Sequence, residues 1–320
     1  MIFEDLPTTP TSEELIDKAF SRAARAGRAK RGLEAQQSML QTASNIVSDN
    51  LENVVTAWPD FEYVDPFYYE LADAIVDVDA LRQSLSQAMW ASRKARDINR
   101  EYQPRVRKTD VDTARKHRKQ AFARLADIVE QVGDDLLAIN EARNDLRTLP
   151  EIGPDEPTIV VAGYPNVGKS SLVNEVTNAR GETASYPFTT KGIGLGHFDH
   201  QRIRYQIVDT PGLLDRPPQE RNEIEAQAVS ALEHLGDCVL VLLDPSGECG
   251  YPIDSQLELR DAIEAQFEGV PVFTVANKAD RSRDVEADFY MSIETGEGVE
   301  EVLEAAVDAI GYEPELPSRE

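Results

Sequence analysis

Thr158-Ile159-Val160-Val161-Ala162-Gly163-Tyr164-Pro165-Asn166-Val167-Gly168-Lys169-Ser170-Ser171 is a β-branched run that feeds a glycine loop and then a helix start at Leu172-Val173. The apolar run reads as a buried strand, and the loop has the GxxxxGK[ST] spacing. Gly163 and Gly168 let the backbone wrap a polyphosphate, while the loop amides and the following helix N-terminus point at it. Lys169 adds positive charge, and Ser170 stands where a hydroxyl can ligate a Mg²⁺ bridging the outer phosphates.

Downstream, three more segments follow in an order that a phosphate loop makes meaningful. Tyr186-Pro187-Phe188-Thr189-Thr190-Lys191 is a polar segment whose threonines can complete Mg²⁺ coordination while a γ-phosphate is present, which makes it a switch candidate. Ile207-Val208-Asp209-Thr210-Pro211-Gly212 reads as a strand ending in a carboxylate able to hold a metal-bound water, with Gly212 free to turn its amide to the γ-phosphate. Val272 to Ala276 leads into Asn277-Lys278-Ala279-Asp280, where the Asp280 carboxylate can accept both hydrogen bonds that guanine N1–H and its exocyclic amine offer. Asn277 is expected to brace the loop and Lys278 to lie along the ring. Ser292-Ile293-Glu294 would supply backbone amides near guanine O6.

Upstream, from Thr11 to Thr148, apolar residues recur at helical spacing and glycine is sparse. Thr11-Ser12-Glu13-Glu14 offers a capping box before Leu15 and Ile16. A second helix follows Gly32 and stops at Trp58-Pro59-Asp60, and Asp65-Pro66 restarts a third. Phe122, Leu125, Val129, Val132, Leu136 and Ile139 step by three and four, the seam of a packed bundle. Pro150 to Pro157 carries three prolines and a glycine and reads as a linker.

The chain has 320 residues, is 41% hydrophobic and 28% charged, and carries a net charge of −25. Such acidity argues against adhesion of the whole surface to nucleic acid or an anionic membrane, and DNA is not an expected partner. Only nine of the 33 basic residues are lysine. Acidity with lysine scarcity points to a halophilic protein in a cytoplasm of high salt, where a Debye length of about 3 Å at 1 M screens self-repulsion. Cys238 and Cys249 are expected as buried free thiols. With no leader-like start and no run approaching a membrane span, a cytoplasmic location is expected.

The charge is uneven. Residues 1–150 hold 21 basic against 25 acidic residues, and residues 82–124 hold 13 basic against four acidic, Asp97, Glu101, Asp110 and Asp112. Arg82, Arg93, Arg96 and Arg100 fall on one helix face, an arginine stripe expected to contact a polyanion such as RNA.

The phosphate loop, Phe188-Thr189-Thr190, Asp209-Thr210-Pro211-Gly212, Asn277-Lys278-Ala279-Asp280 and the serine segment before Gly296 resemble the five guanine-nucleotide motifs of Obg-type GTPases. More narrowly, Tyr186 to Phe198, Asp209 to Arg221 and Asp65-Pro66-Phe67-Tyr68-Tyr69-Glu70-Leu71 resemble the nucleolar GTP-binding protein 1 family, in an archaeal-like short form without the eukaryotic C-terminal region. The resemblance implies an α-helical N-terminal domain (1–150), a linker (151–156), an α/β P-loop GTPase domain with a doubly wound, mostly parallel sheet (157–312) and a tail (313–320). It implies GTP and GDP as ligands, and assembly of the large ribosomal subunit through precursor rRNA as the role. Lys169, Thr190 and Gly212 are the expected catalytic groups, and Ser170, Thr190 and, through water, Asp209 the Mg²⁺ holders. The position where many GTPases keep a water-orienting glutamine is Leu213, so intrinsic hydrolysis is expected to be slow and to depend on a partner or a cation. Asn166 resembles the loop asparagine of potassium-activated GTPases, which adds K⁺ as a candidate cation. Two other readings stay open: an RNA-binding assembly protein with a structural nucleotide site, and a P-loop ATPase.

Overall fold

The structure, a computed structural model, describes residues 2–147, 152–153, 156–177, 182–184 and 193–312. Six helices come first: α1 (Ser12–Arg28), α2 (Gly32–Thr56), α3 (Pro66–Ile75), α4 (Val78–Arg107), α5 (Val111–Gln131) and α6 (Gly133–Leu146). Then follow β1 (Thr158–Ala162), α7 (Lys169–Thr177), β2 (Glu182–Ala184), β3 (Ile193–His200), β4 (Ile203–Asp209), α8 (Glu223–Leu235), β5 (Cys238–Leu243), α9 (Ile253–Gln266), β6 (Val272–Ala276), β7 (Phe289–Tyr290) and α10 (Val299–Ile310).

The chain divides into two compact units: residues 1–63 with 75–147, and residues 64–74 with 148–320. The first is a helix bundle. Thr11 caps α1, accepting from the Glu14 N–H while the Glu14 carboxylate accepts from the Thr11 N–H, so two orphan donors are satisfied as the sequence led one to expect. Where α2 and α4 cross, Ala43, Ala88, Ala91 and Ala95 are fully buried. The small side chains bring the backbones close enough for Ser44 Oγ to donate to Ala95 O (2.6 Å) and Ser92 Oγ to Ser48 O (2.9 Å). Buried hydroxyls so paired add specificity without an unsatisfied donor.

The apolar seam from Phe122 to Ile139 does not follow one helix: it crosses a break at Val132, where α5 ends and α6 begins. Leu125, Val129, Val132, Leu136 and Ile139 are all buried nonetheless, because the chain resumes helix within a residue.

The second unit carries a seven-stranded sheet of order β2-β3-β4-β1-β5-β6-β7. β1, β4, β5, β6 and β7 run parallel, and β3 joins β4, and β2 joins β3, antiparallel. β1 and β5 are buried along their whole length, as central parallel strands covered on both faces must be. Cys238 and Cys249 lie in this core as free thiols, and burial pushes the Cys238 thiol up to about 12. Because β1, β4, β5 and β6 share a direction, their C-terminal ends open on one edge, the edge where ligands bind in such sheets.

The Asp65-Pro66 segment departs from the expected halves. Residues 64–74, placed by sequence in the helical domain, belong to the second unit. There Tyr68 Oη donates to Ile152 O (2.5 Å) and Glu70 pairs with His234 (3.1 Å). The described part of the linker is packed too: Gly153 exchanges hydrogen bonds with the side chain of Gln206, a fully buried amide in β4 that would otherwise be unsatisfied. The rest of the linker and the tail 313–320 lie outside the described residues. No helix among the described residues is long and apolar enough to cross a membrane.

Candidate functional site

β1 ends at Ala162 and the chain turns at Gly163, whose φ of 131° suits glycine and whose missing side chain leaves room for Leu242 O. Gly168 (φ 112°) is required for a second reason: a Cβ there would collide with the Asn277 side-chain amide, which reaches past it to donate to Val167 O (2.8 Å). Asn277 Oδ1 also accepts from the Ile293 N–H (3.4 Å). One buried side chain from the end of β6 therefore ties the phosphate loop to the serine-containing loop across the sheet edge.

Lys169 opens α7, is 6% exposed, and donates from Nζ to Gly163 O (2.6 Å) and Tyr164 O (3.0 Å). Its charge is thus held over the loop. Pro165, Asn166 (φ 64°) and Val167 complete the turn, and the Tyr164 ring lies against Tyr251 with centroids 4.4 Å apart. Ser170 Oγ donates to Asp209 Oδ2. Asp209, 3% exposed at the end of β4, keeps its other oxygen without a hydrogen-bond partner among the described residues. Burial pushes its carboxyl above the usual range, opposed by the Ser170 hydroxyl and the Lys169 charge. A hydroxyl and a buried carboxylate with one oxygen to spare fit a hard divalent cation.

At the other end of the site a cavity of about 290 Å³ is lined by Asn166, Gly168, Ser171, Asn277, Lys278, Asp280, Arg281, Ser292, Ile293 and Glu294. The Ser292 hydroxyl beside Asp280 holds that carboxyl below its ordinary value, so Asp280 is an acceptor throughout the neutral range. Phosphate-loop residues and the Asp280 carboxylate thus face one space. Phe188, Thr189 and Thr190 lie outside the described residues.

The segment after β4 is pinned on both sides of Gly212. Thr210 Oγ1 donates to Val161 O (2.9 Å), Leu213 and Leu214 are fully buried, and Leu214 O accepts from the Gly163 N–H (3.0 Å). Pro211 and Gly212 lie between these anchors, partly exposed. Leu213, pointing into the core, has no means of holding a water.

A model of the NOG1 N-terminal helical domain matches residues 3–153, and one of nucleolar GTP-binding protein 1 matches residues 223–280. An uncharacterised protein of Methanocaldococcus jannaschii is 37% identical over 288 residues, 87% of this chain and 81% of its own length. The chain belongs to the nucleolar GTP-binding protein 1 family. The Eremothecium gossypii protein of that name is 32% identical over 97% of this chain, which spans about half (49%) of the length of that relative. Among solved structures, a Plasmodium falciparum chain titled as nucleolar GTP-binding protein 1 is 35% identical and covers 51% of this chain and 90% of its own, with a TM-score of 0.47.

Two features of this family member were not visible in its motifs. Asp244, fully buried at the end of β5, accepts from Lys278 Nζ (2.6 Å), from Ser246 and from the Cys249 N–H (2.8 Å). Burial raises its carboxyl, but these donors together outweigh it and hold it low. The Lys278 head is therefore directed to Asp244. Arg281 bridges Glu248 and Glu294, joining the loops on either side of the cavity. A carboxylate at the C-terminal end of an apolar parallel strand was the available signal for Asp244.

The arginine stripe is more opposed by acids than the sequence count implied. Arg82 pairs with Glu62 (3.3 Å) and Asp79 (4.0 Å), Arg96 with Asp49 (3.8 Å) and Glu52, and Arg100 with Asp97 (2.5 Å). Four of these acids lie outside the 82–124 segment, where sequence counting found few opposing charges. Arg93 has no acidic partner among the described residues, and with Trp58 and Trp90 it lines a groove of about 600 Å³. Trp90 is 39% exposed.

Proposed function

We propose that this chain is a GTP-binding switch that hydrolyses GTP to GDP and phosphate slowly and acts in assembly of the large ribosomal subunit. The observation that carries the nucleotide reading is the single cavity in which Asn166 and Gly168 of the phosphate loop meet Asp280, with Asn277 fixing their separation. Lys169 neutralises phosphate charge as it forms, and the Gly212 N–H is the donor for the γ-phosphate. Ser170, Thr190 and, through water, Asp209 would hold Mg²⁺, which would supply positive charge at the phosphates. Asp280 selects guanine through two accepted hydrogen bonds, and Lys278, held by Asp244, supplies its stem as a wall beside the base.

The burial of Leu213 supports slow turnover, since no side chain there would orient the attacking water. Asn166, in a left-handed conformation within the loop, supports K⁺ as an added source of positive charge at the phosphates. The partner reading is supported by the helical unit's basic segment on an otherwise acidic chain and by the names of the relatives. It makes precursor rRNA of the large subunit the partner, in a high-salt cytoplasm. The test has two parts. Equilibrium titration should give GTP and GDP micromolar or tighter affinity and ATP at least a hundredfold weaker. Association with isolated large-subunit precursors should differ between a non-hydrolysable GTP analogue and GDP. Equal affinity for ATP and GTP would overturn the guanine reading; association insensitive to nucleotide would overturn the switch.

A further inference from the structure

In the structure the Gly212 N–H donates to Asp215 Oδ2 at 2.9 Å. That N–H is the donor the γ-phosphate requires in the GTP reading of the site, on which the following inference rests. The peptide on the other side of the Gly212 Cα is held too, since Gly212 O accepts from Arg216 Nη2 (3.2 Å). Arg216 is anchored in turn to Glu225 (2.6 Å), a buried carboxylate that completes the capping box at the N-terminus of α8 with Asn222. Arg221 closes the strap, donating to Arg216 O (3.2 Å) and to Gln266 Oε1 (2.8 Å).

Gly212 has the backbone range that a turn of this peptide would need. Its φ is 86°, and a Cβ built on it would meet nothing within 4 Å, so the position needs glycine for its backbone angles and not for space. Its neighbours are fixed by Thr210 on Val161 and by the buried Leu213 and Leu214. A hinge peptide between fixed points has few positions, and Asp215 with Arg216 defines one of them.

We propose that Asp215 is an internal competitor for the γ-phosphate, which sets the preference of this site between GTP and GDP. One N–H cannot serve both acceptors at full strength. Asp215 also lies close enough to Tyr164 of the phosphate loop and to Asp209 to add to the field at both, so a γ-phosphate would bring its charge beside a carboxylate. GDP leaves the Asp215 contact intact; GTP must break it and turn the Pro211–Gly212 peptide, and the accompanying change in the Gly212 backbone angles bears on the adjoining contact of Gly212 O with Arg216. The signal then reaches the N-terminus of α8 through Glu225.

Asp215→Asn keeps the shape but weakens the acceptor, and Asp215→Ala removes it; residue 215 is partly exposed, so both variants should fold. Affinities for GDP and for a non-hydrolysable GTP analogue are measured with wild type and both variants. The expected result is a shift of the ratio toward the GTP analogue by about tenfold for Asp215→Asn, the difference between a charge-assisted and a neutral bond. The shift should be larger for Asp215→Ala, with GDP affinity within twofold in both. An unchanged ratio, or weaker binding of the analogue, would overturn the proposal. So would a hundredfold loss of single-turnover hydrolysis with an unchanged ratio, which would make Asp215 a catalytic group. Failure of the wild type to bind either nucleotide would instead bring down the GTP reading.

Discussion

Replacing Asn277 by alanine removes one side chain that touches both ends of the nucleotide site. Its Nδ2 donates to Val167 O at 2.8 Å and its Oδ1 accepts from the Ile293 N–H at the weaker distance of 3.4 Å. Asn277 is 3% exposed, so water does not readily replace it. Loss of the first bond leaves a buried carbonyl unpaired, a cost of about 1–3 kcal/mol, while the second bond is too long to add much. Part of that cost falls on the fold and part on binding, because the phosphate loop must hold its shape to present its amides. Binding should therefore weaken by about 5- to 100-fold for GDP and GTP alike, since the contact lies under the part of the loop both nucleotides share. Calorimetric titration of each nucleotide, with a thermal melt of the free variant, separates the two contributions. A variant whose GDP affinity stayed within twofold of wild type, with a folded melt, would show that the brace between the loops is not what shapes the site.

Further outcomes follow from single contacts. Steady-state GTP turnover should be faster in KCl than in NaCl at equal ionic strength if Asn166 helps to seat K⁺, and equal rates would remove that cation. Arg93→Ala should weaken binding to the large-subunit precursor and lower the magnitude of the log–log salt slope by roughly 0.7 to 0.9 units. Arg82, Arg96 and Arg100, being engaged with carboxylates, should matter less for RNA, and a larger loss from Arg100→Ala than from Arg93→Ala would reverse this assignment. Asp110 caps α5 by accepting from the Thr113 and Asp112 N–H groups, and hydrogen bonds from Thr113, backbone and hydroxyl, do most to lower its carboxyl to about 2. Its folded value lies below the unfolded one, so its stabilisation is present above about pH 4 and disappears as pH falls toward 2. Asp110→Ala should lower the melting temperature at pH 7 and match wild type near pH 2; an equal deficit at both would assign the effect to something other than the ionised cap.

The chemistry of the phosphate end was legible because it is local. Gly163, Gly168, Lys169 and Ser170 lie within eight residues, and the shape of the loop they form depends on backbone angles that glycine supplies. The capping box at Thr11 and the helix restart at Pro66 were equally legible, since capping and proline geometry act over a few residues. What could not be read was long-range partnership. Residues 64–74 look like any helix of the bundle, and it takes contacts such as the Tyr68 hydroxyl on Ile152, 84 residues away, and Glu70 on His234 to assign them to the second unit. The arginine stripe looked less opposed than it is because Asp49 and Glu52 come from α2 and Glu62 from the turn after it; charge counting along one segment cannot see a neighbouring helix. Asp215 and Asp244 belong to no spacing rule, and their roles depend on which donor the fold brings to them.

The central claim is that the cavity beside the phosphate loop reads guanine through the Asp280 carboxylate. Equilibrium binding of GDP and xanthosine diphosphate to wild type and to Asp280→Asn tests it directly. Two accepted hydrogen bonds to a charged group are replaced by one acceptor and one donor, so the variant should lose GDP affinity by at least about a hundredfold. It should gain xanthosine diphosphate, whose carbonyl at C2 accepts where guanine donates. A folded variant that kept its GDP affinity within twofold, and showed no gain for xanthosine diphosphate, would contradict the account.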